Sequence, residues 1–253
     1  ATGVDLDTAI NALTAASTNA AIVIRETNGL TVNTVNAGTG AVTLTLAAGA
    51  ITDGNGGALN VSGGLLTLTG PGGIDLDTEA TSLTAATTNA PIVTREVSAV
   101  AVNTLTAGTA MVTLLAGGAI TDNNAAATNV TANSLLVTAV GGIALDTNIA
   151  QLAASNATTG NIAIVDVDGL TVVTLGAVSG VANTGGDVTL TATDTAAATD
   201  HLVVRAVDLH PFLNVHVAAH HRLLSCGSWP PWHSPLDCRI GKNLATLGLP
   251  KLH

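Results

Sequence analysis

The chain has 253 residues, of which 47% are hydrophobic, 9% charged and only 1% aromatic. A charged share of about 25% is usual, so this composition excludes a coiled coil, a highly charged disordered segment and a basic nucleic-acid binder. The 27 glycines follow no three-residue period, which excludes collagen, and with no Tyr, one Phe and two Trp any core must be filled by small aliphatic side chains.

Charge divides the chain in two. Residues 1–200 hold fifteen acidic residues against Arg25 and Arg95, a net charge of −13. Residues 201–253 hold five basic and two acidic residues, a net of +3, together with all seven His and both Cys. A strongly acidic surface repels nucleic acid and anionic lipid headgroups. No disulfide framework can form before residue 200. No 18-residue apolar run exists, because Val97–Ile120 is broken by Asn103 and by several Thr and Gly, so no transmembrane helix is expected. The chain opens on Ala1 without a charged-then-apolar leader and reads as an internal or mature piece.

Taken in chain order, the sequence repeats itself. Gly3-Val-Asp-Leu-Asp-Thr8 returns as Gly73-Ile-Asp-Leu-Asp-Thr78 and as Gly142-Ile-Ala-Leu-Asp-Thr147. Leu13-Thr-Ala-Ala returns from Leu83. Ile22-Val-Ile-Arg-Glu26 returns as Ile92-Val-Thr-Arg-Glu96 and as Ile162-Ala-Ile-Val-Asp166. Leu30-Thr-Val-Asn-Thr34 matches segments beginning at Val100 and Leu170, and Ala50-Ile-Thr-Asp53 matches Ala119-Ile-Thr-Asp122. The units run over 3–72, 73–141 and 142–200, the last carrying an insertion around Gly176–Gly185. Inside each unit, Val42-Thr-Leu-Thr-Leu46, Leu65-Leu-Thr-Leu-Thr69 and Val188-Thr-Leu-Thr-Ala192 alternate with the period of two of a half-buried strand. Gly, Asn and Asp punctuate them at roughly ten-residue intervals as turns.

These features predict an all-β chain. A sandwich or propeller needs larger residues between its layers, and an outer-membrane barrel needs aromatic girdles. A solenoid needs neither, since each coil stacks its aliphatic residues on the next. The expected fold is a right-handed parallel β-helix over residues 1–200, the hand taken from the general bias of parallel crossovers. Each unit reads as three coils of about 23 residues, with residues seventy apart stacked, giving a rod on the order of 40 Å.

The G-[VI]-x-L-x-T recurrences, the Ile22–Val32 pattern and the G-x-V-x-L-x pattern of Gly40–Thr45 resemble the repeats of filamentous-haemagglutinin-type bacterial adhesins, over roughly residues 1–200. The resemblance implies a non-catalytic structural shaft of a large secreted or surface-anchored protein of the two-partner or autotransporter kind. It implies an extracellular location at the bacterial surface and an outer-membrane export partner. Host-cell or matrix glycans and proteins would bind through other parts of the parent, or through outward loops such as Asp53–Gly57 and Gly176–Gly186. A polysaccharide-cleaving β-helix enzyme and a surface-layer or biofilm-matrix scaffold are the alternatives on the same fold.

Candidate chemistry is sparse, and no catalytic, cofactor or metal residue is assigned. Asp5/Asp7 and Asp75/Asp77 sit on alternate strand positions, where stacked coils would align them into a carboxylate ladder of the kind calcium favours. Ala144 breaks that pattern in the third unit, leaving Asp146, and a solvated strand edge is the simpler expectation. Paired carboxylates also suit glycoside cleavage, but the shaft lacks Trp and Tyr for sugar stacking. Arg25-Glu26 and Arg95-Glu96 read as neighbouring charges facing solvent. Thr43/Thr45, Thr67/Thr69 and Thr189/Thr191 read as ordinary outward strand threonines, because an ice-binding face demands a pair on nearly every coil. The tail, 201–253, holds a zinc-type set in His216, His220, His221, Cys226, His233 and Cys238, without paired ligand spacing beyond His216/His220. Its strand pattern stops near Asp200. Its composition suggests an out-of-frame sequence, with a cap on the solenoid end as the alternative.

Overall fold

In the computed structural model, residues 3–192 are described throughout, followed by the strands Leu202–Val204, Val215–Ala219, Arg222–Cys226 and Cys238–Arg239. Among the described residues there is no helix. The chain winds as a parallel β-solenoid whose strands alternate between two stacks, both burying side chains in one aliphatic core.

The first stack begins with β1 (Val4–Thr8), and β2 (Ala12–Ala16) begins the second. β3 (Ile22–Glu26) and β5 (Val42–Leu46) extend the first stack, while β4 (Leu30–Asn36) and β6 (Ile51–Asp53) extend the second. Next, β7 (Val61–Thr69) and β8 (Ile74–Ala86) are long enough to turn the corner, each starting in the second stack and finishing in the first. β9 (Ile92–Glu96) and β11 (Met111–Ala116) continue the second stack; β10 (Val100–Thr106) and β12 (Ile120–Asp122) continue the first. β13 (Val130–Ala139) and β14 (Ile143–Thr159) run the corner from first stack to second. β15 (Ile162–Asp166) lies in the first stack and β16 (Leu170–Val172) in the second. A small antiparallel hairpin, β17 (Thr174–Leu175) and β18 (Val178–Ser179), interrupts the latter before β19 (Val181–Gly185) resumes it, and β20 (Val188–Ala192) returns to the first.

The register gives the coil length. Val4 pairs with Ile22, Ile22 with Val42, Val42 with Leu66, Leu66 with Leu83 and Leu83 with Val102. These are steps of 18, 20, 24, 17 and 19 residues. On the second stack Leu30, Ile51, Ile74, Ile92, Val112 and Leu135 follow one another. A coil therefore takes about 20 residues, not the 23 expected from dividing a unit by three.

The consequence is a change of face. Each unit contains seven half-coils: 4–8, 12–16, 22–26, 30–36, 42–46, 51–63 and 65–69 in the first. Seven is odd, so Ile74, the counterpart of Val4, falls in the second stack, and Ile143 returns to the first. Residues seventy apart are thus on opposite stacks, which corrects the expectation that they lie over one another. What stacks instead is a mixture of unrelated aliphatic positions about one coil apart, such as Ile24, Leu44 and Leu68, all fully buried.

Beyond Asp200 the winding continues. β21 (Leu202–Val204) pairs in parallel with β16, and β22 (Val215–Ala219) pairs in parallel with β20. β23 (Arg222–Cys226) and β24 (Cys238–Arg239) then pair antiparallel with β22 and β21. Strand pairing thus passes the point where the sequence pattern alone suggests that it stops. The side chains of the His/Cys set from His216 to Cys238 lie outside the described residues.

Candidate functional site

Three recurrent polar constellations are built from the repeat motifs. The first lies outside. In-register pairing sets Asp7 beside Arg25 and Asp77 beside Arg95. Nη1 of Arg25 donates to Asp5 Oδ1 at 2.6 Å and to Asp7 Oδ1 at 3.3 Å. Nη1 of Arg95 donates to Asp75 Oδ1 at 2.7 Å, with Asp77 Oδ1 at 3.9 Å. The hydrogen bond from Arg25 holds the Asp5 carboxyl below its usual range. Each aspartate pair therefore meets a guanidinium one coil on. Because the two pairs lie on opposite stacks, they form no common carboxylate ladder, and the geometry proposed for calcium is not assembled from them. These pairs are largely exposed, where water screens the charges, and each contributes little to stability.

The second constellation is internal, and it corrects the expectation that Glu26 and Glu96 face solvent. Strand alternation turns Arg25 outward and Glu26 inward, leaving Glu26 and Glu96 buried. The carboxylate of Glu26 accepts from Thr8 Oγ1 at 2.6 Å, Ile10 N at 2.9 Å and Thr27 N at 2.8 Å. Glu96 accepts from Thr78 Oγ1 and Ala80 N, both at 2.9 Å. Asp166 accepts from Thr147 Oγ1 at 2.7 Å and Ile149 N at 3.0 Å. The terminal Thr of G-[VI]-x-L-x-T and the acid of the I-x-I motif are therefore one hydrogen-bonded unit. The backbone turns between stacks just after that Thr, where an N–H loses its ladder partner, and the acid supplies the acceptor that burial demands.

The charge states of these acids differ. Burial pushes the Glu26 carboxyl up, but the donors from Ile10, Thr8, Asn28 and Thr27 outweigh it and hold the group at about 2. At Glu96 burial wins over the donors from Ala80, Thr78 and Ser98, and the group is pushed up to about 7. At Asp166 burial likewise raises the carboxyl against the hydrogen bonds it accepts.

The third constellation is an asparagine-centred loop that the sequence reading missed. Ile51-Thr-Asp53 and Ile120-Thr-Asp122 each lead into a loop closed by a wholly buried residue, Asn60 or Asn129. Nδ2 of Asn60 donates to Val32 O at 2.9 Å, Asp53 Oδ1 at 2.8 Å and Asn55 Oδ1 at 3.0 Å, while its Oδ1 accepts from Asp77 N at 2.8 Å. Asn129 repeats this with Val102 O, Asp122, Asn124 and Asp146 N. The available signal was D-x-N-x-x-x-x-N, present in both units. The hydrogen bonds from Asn60 and Asn55 hold the Asp53 carboxyl at about 2. These contacts make Asp53–Gly57, expected as an adhesive loop, a turn tied down from within.

Among the described residues no three His, Cys, Asp or Glu side chains group closely enough to hold a metal ion, and no helix is long and apolar enough to cross a membrane. The chain matches no protein-family model, no curated protein and no solved structure.

Proposed function

We propose that this chain is a shaft segment of a large exported bacterial adhesin, acting mechanically rather than catalytically. The observation that supports it is the continuous parallel pairing from Val4 to Val102, and on from Val100 through Ile120, Ile143 and Ile162 to Val188, with a single bulge at Asn103 on this ladder. With about 4.8 Å between strands, the described solenoid is a rod on the order of 40 Å. Every coil is joined to its neighbours by backbone hydrogen bonds along two stacks, so a load along the axis is shared among many bonds. Nearest-neighbour stacking also lets such a chain wind coil by coil after export. The polar constellations fit this role, because each serves a corner, a turn or an exposed charge pair.

The test is display of the chain between an export module and a known binding module on a bacterial surface. Removing residues 4–192 should bring the binding module closer to the cell by roughly the rod length while ligand capture persists. Loss of capture would place the ligand site on the rod itself and reject the spacer reading. The polysaccharide-cleaving alternative is tested separately by release of new reducing ends from a panel of acidic and neutral polysaccharides.

A further inference from the structure

Sequence spacing scatters the Thr-x-Thr pairs, but the fold gathers them. On the first stack, Thr43 pairs with Thr67 and Thr45 with Thr69. Thr67 then pairs with Thr84 and Thr69 with Ala86, and above these come Thr104 and Thr106. Four consecutive coils therefore present two adjoining ranks of threonine, interrupted at Ala86 and with a bulge at Asn103 just before Thr104. Thr131 extends the second rank beyond Thr106. The threonines scattered in the sequence order are thus consecutive over these four coils, while β1, β3, β14 and β15 carry Asp5/Asp7, Val23/Arg25, Ala144/Asp146 and Ala163/Val165 at outward positions of the same stack.

Three further observations concern what this surface can hold. All the threonines point outward, because the residues between them, Leu44, Leu68, Ala85 and Leu105, lie in the core. Among the described residues only Thr84 takes a protein hydrogen bond, from Asn103 Nδ2 at 3.3 Å, so the other array hydroxyls are left to water. The flanking outward rank is Leu65, Ser82 and Ala101, so the patch carries no charge on a chain segment whose net charge is −13. Charge begins at its borders, where Arg25 pairs in register with Thr45 on one side and Asp122 pairs with Val102 on the other.

We propose that this threonine array binds ice. Strands in one stack lie about 4.8 Å apart, and alternate residues along a strand lie about 6.6 Å apart. Both repeats are close to the oxygen spacings on a prism face of ice. β-Branching holds each threonine in few χ1 rotamers, which fixes methyl and hydroxyl positions before contact. Water ordered in the troughs between ranks then joins the lattice at little further entropic cost. A charged or flexible surface would instead bind water in geometries that ice does not share. This inference stands on the register of the first stack alone and does not depend on the shaft reading.

The experiment is ice-affinity partitioning of the full chain, combined with thermal hysteresis and crystal shape in a nanolitre osmometer. The wild-type chain should enter slowly grown ice and facet single crystals. Thr67→Lys, at the centre of the array, and Thr104→Lys, at an exposed position, should both abolish incorporation while keeping the β-sheet circular dichroism and melting temperature. Thr113→Lys, on the second stack, should leave incorporation unchanged. Exclusion of the folded wild-type chain from ice overturns the proposal. So does incorporation that survives both array substitutions, or that Thr113→Lys impairs equally.

Discussion

At the scale of single residues, the second unit differs from the first at one instructive place. Thr94 stands where the first unit has Ile24, is wholly buried, and its Oγ1 has no hydrogen-bond partner. It packs in register between Leu76 and Leu114. An unsatisfied buried hydroxyl costs roughly 1–3 kcal/mol, so Thr94→Val should raise stability by about 1 kcal/mol or more, read as a higher urea midpoint at unchanged m-value. Glu96 gives a pH signature. Its folded-state carboxyl titrates at about 7 against an ordinary 4.5, so the folded state holds the proton more tightly than the unfolded chain. Its contribution is fully present below pH 4.5 and is lost as pH rises through 7, with about 1.4 kcal/mol per pKa unit as the upper limit. Glu26, held at about 2, works in the opposite sense, stabilising above pH 4.5 and losing that contribution as pH falls towards 2. Melting temperatures across pH 4 to 8 should therefore fall less steeply in Glu96→Gln than in the wild-type chain. An identical slope in the two proteins would count against a raised Glu96.

At the scale of elements, the turns and corners carry the polar specificity. Asn60 makes four hydrogen bonds from a fully buried position, one of them to the backbone N–H of Asp77 on the next coil. Asn60→Ala leaves Asp77 N and Val32 O without this partner and should cost about 2–4 kcal/mol. The measurement is denaturant unfolding combined with amide exchange, where the amides of Asn55, Gly56 and Asp77 should lose protection first. Gly49 serves a tight turn. Its φ is +83°, and a Cβ there would come within 2.6 Å of the Gly29 backbone nitrogen. Ala in place of Gly ordinarily stabilises by up to about 1 kcal/mol where φ is negative, whereas Gly49→Ala should destabilise the chain by more than that amount. A melting temperature equal to the wild type would show that the Gly29 turn yields without cost.

At the scale of the whole molecule, stability is a sum over neighbouring coils, and among the described residues β1 pairs with β3 alone. Leu6 pairs with Ile24 at the head of a core ladder and is 51% exposed, whereas Ile24, Leu44 and Leu68 are 0% exposed. Hydrogen exchange should accordingly show protection rising from β1 towards the centre, around Leu66–Leu114, rather than one uniform value. Uniform protection from Val4 onward would mean that the rod opens only as a unit. By itself the sequence determined the class of fold, since only stacked coils suit alternating Val, Leu and Thr without aromatic bulk, and it marked every residue of the Thr–acid pairs as recurrent. It did not reveal that these pairs are internal, because alternation assigns sides only once the inward face of a strand is known. The coil length, the two stacks and the gathering of Thr43, Thr67, Thr84 and Thr104 were decided by the tertiary structure alone. A repeat in sequence records where similar segments recur along the chain. Which segments touch depends on how many residues complete a turn, and an odd number of half-turns carries each copy to the opposite side of the core.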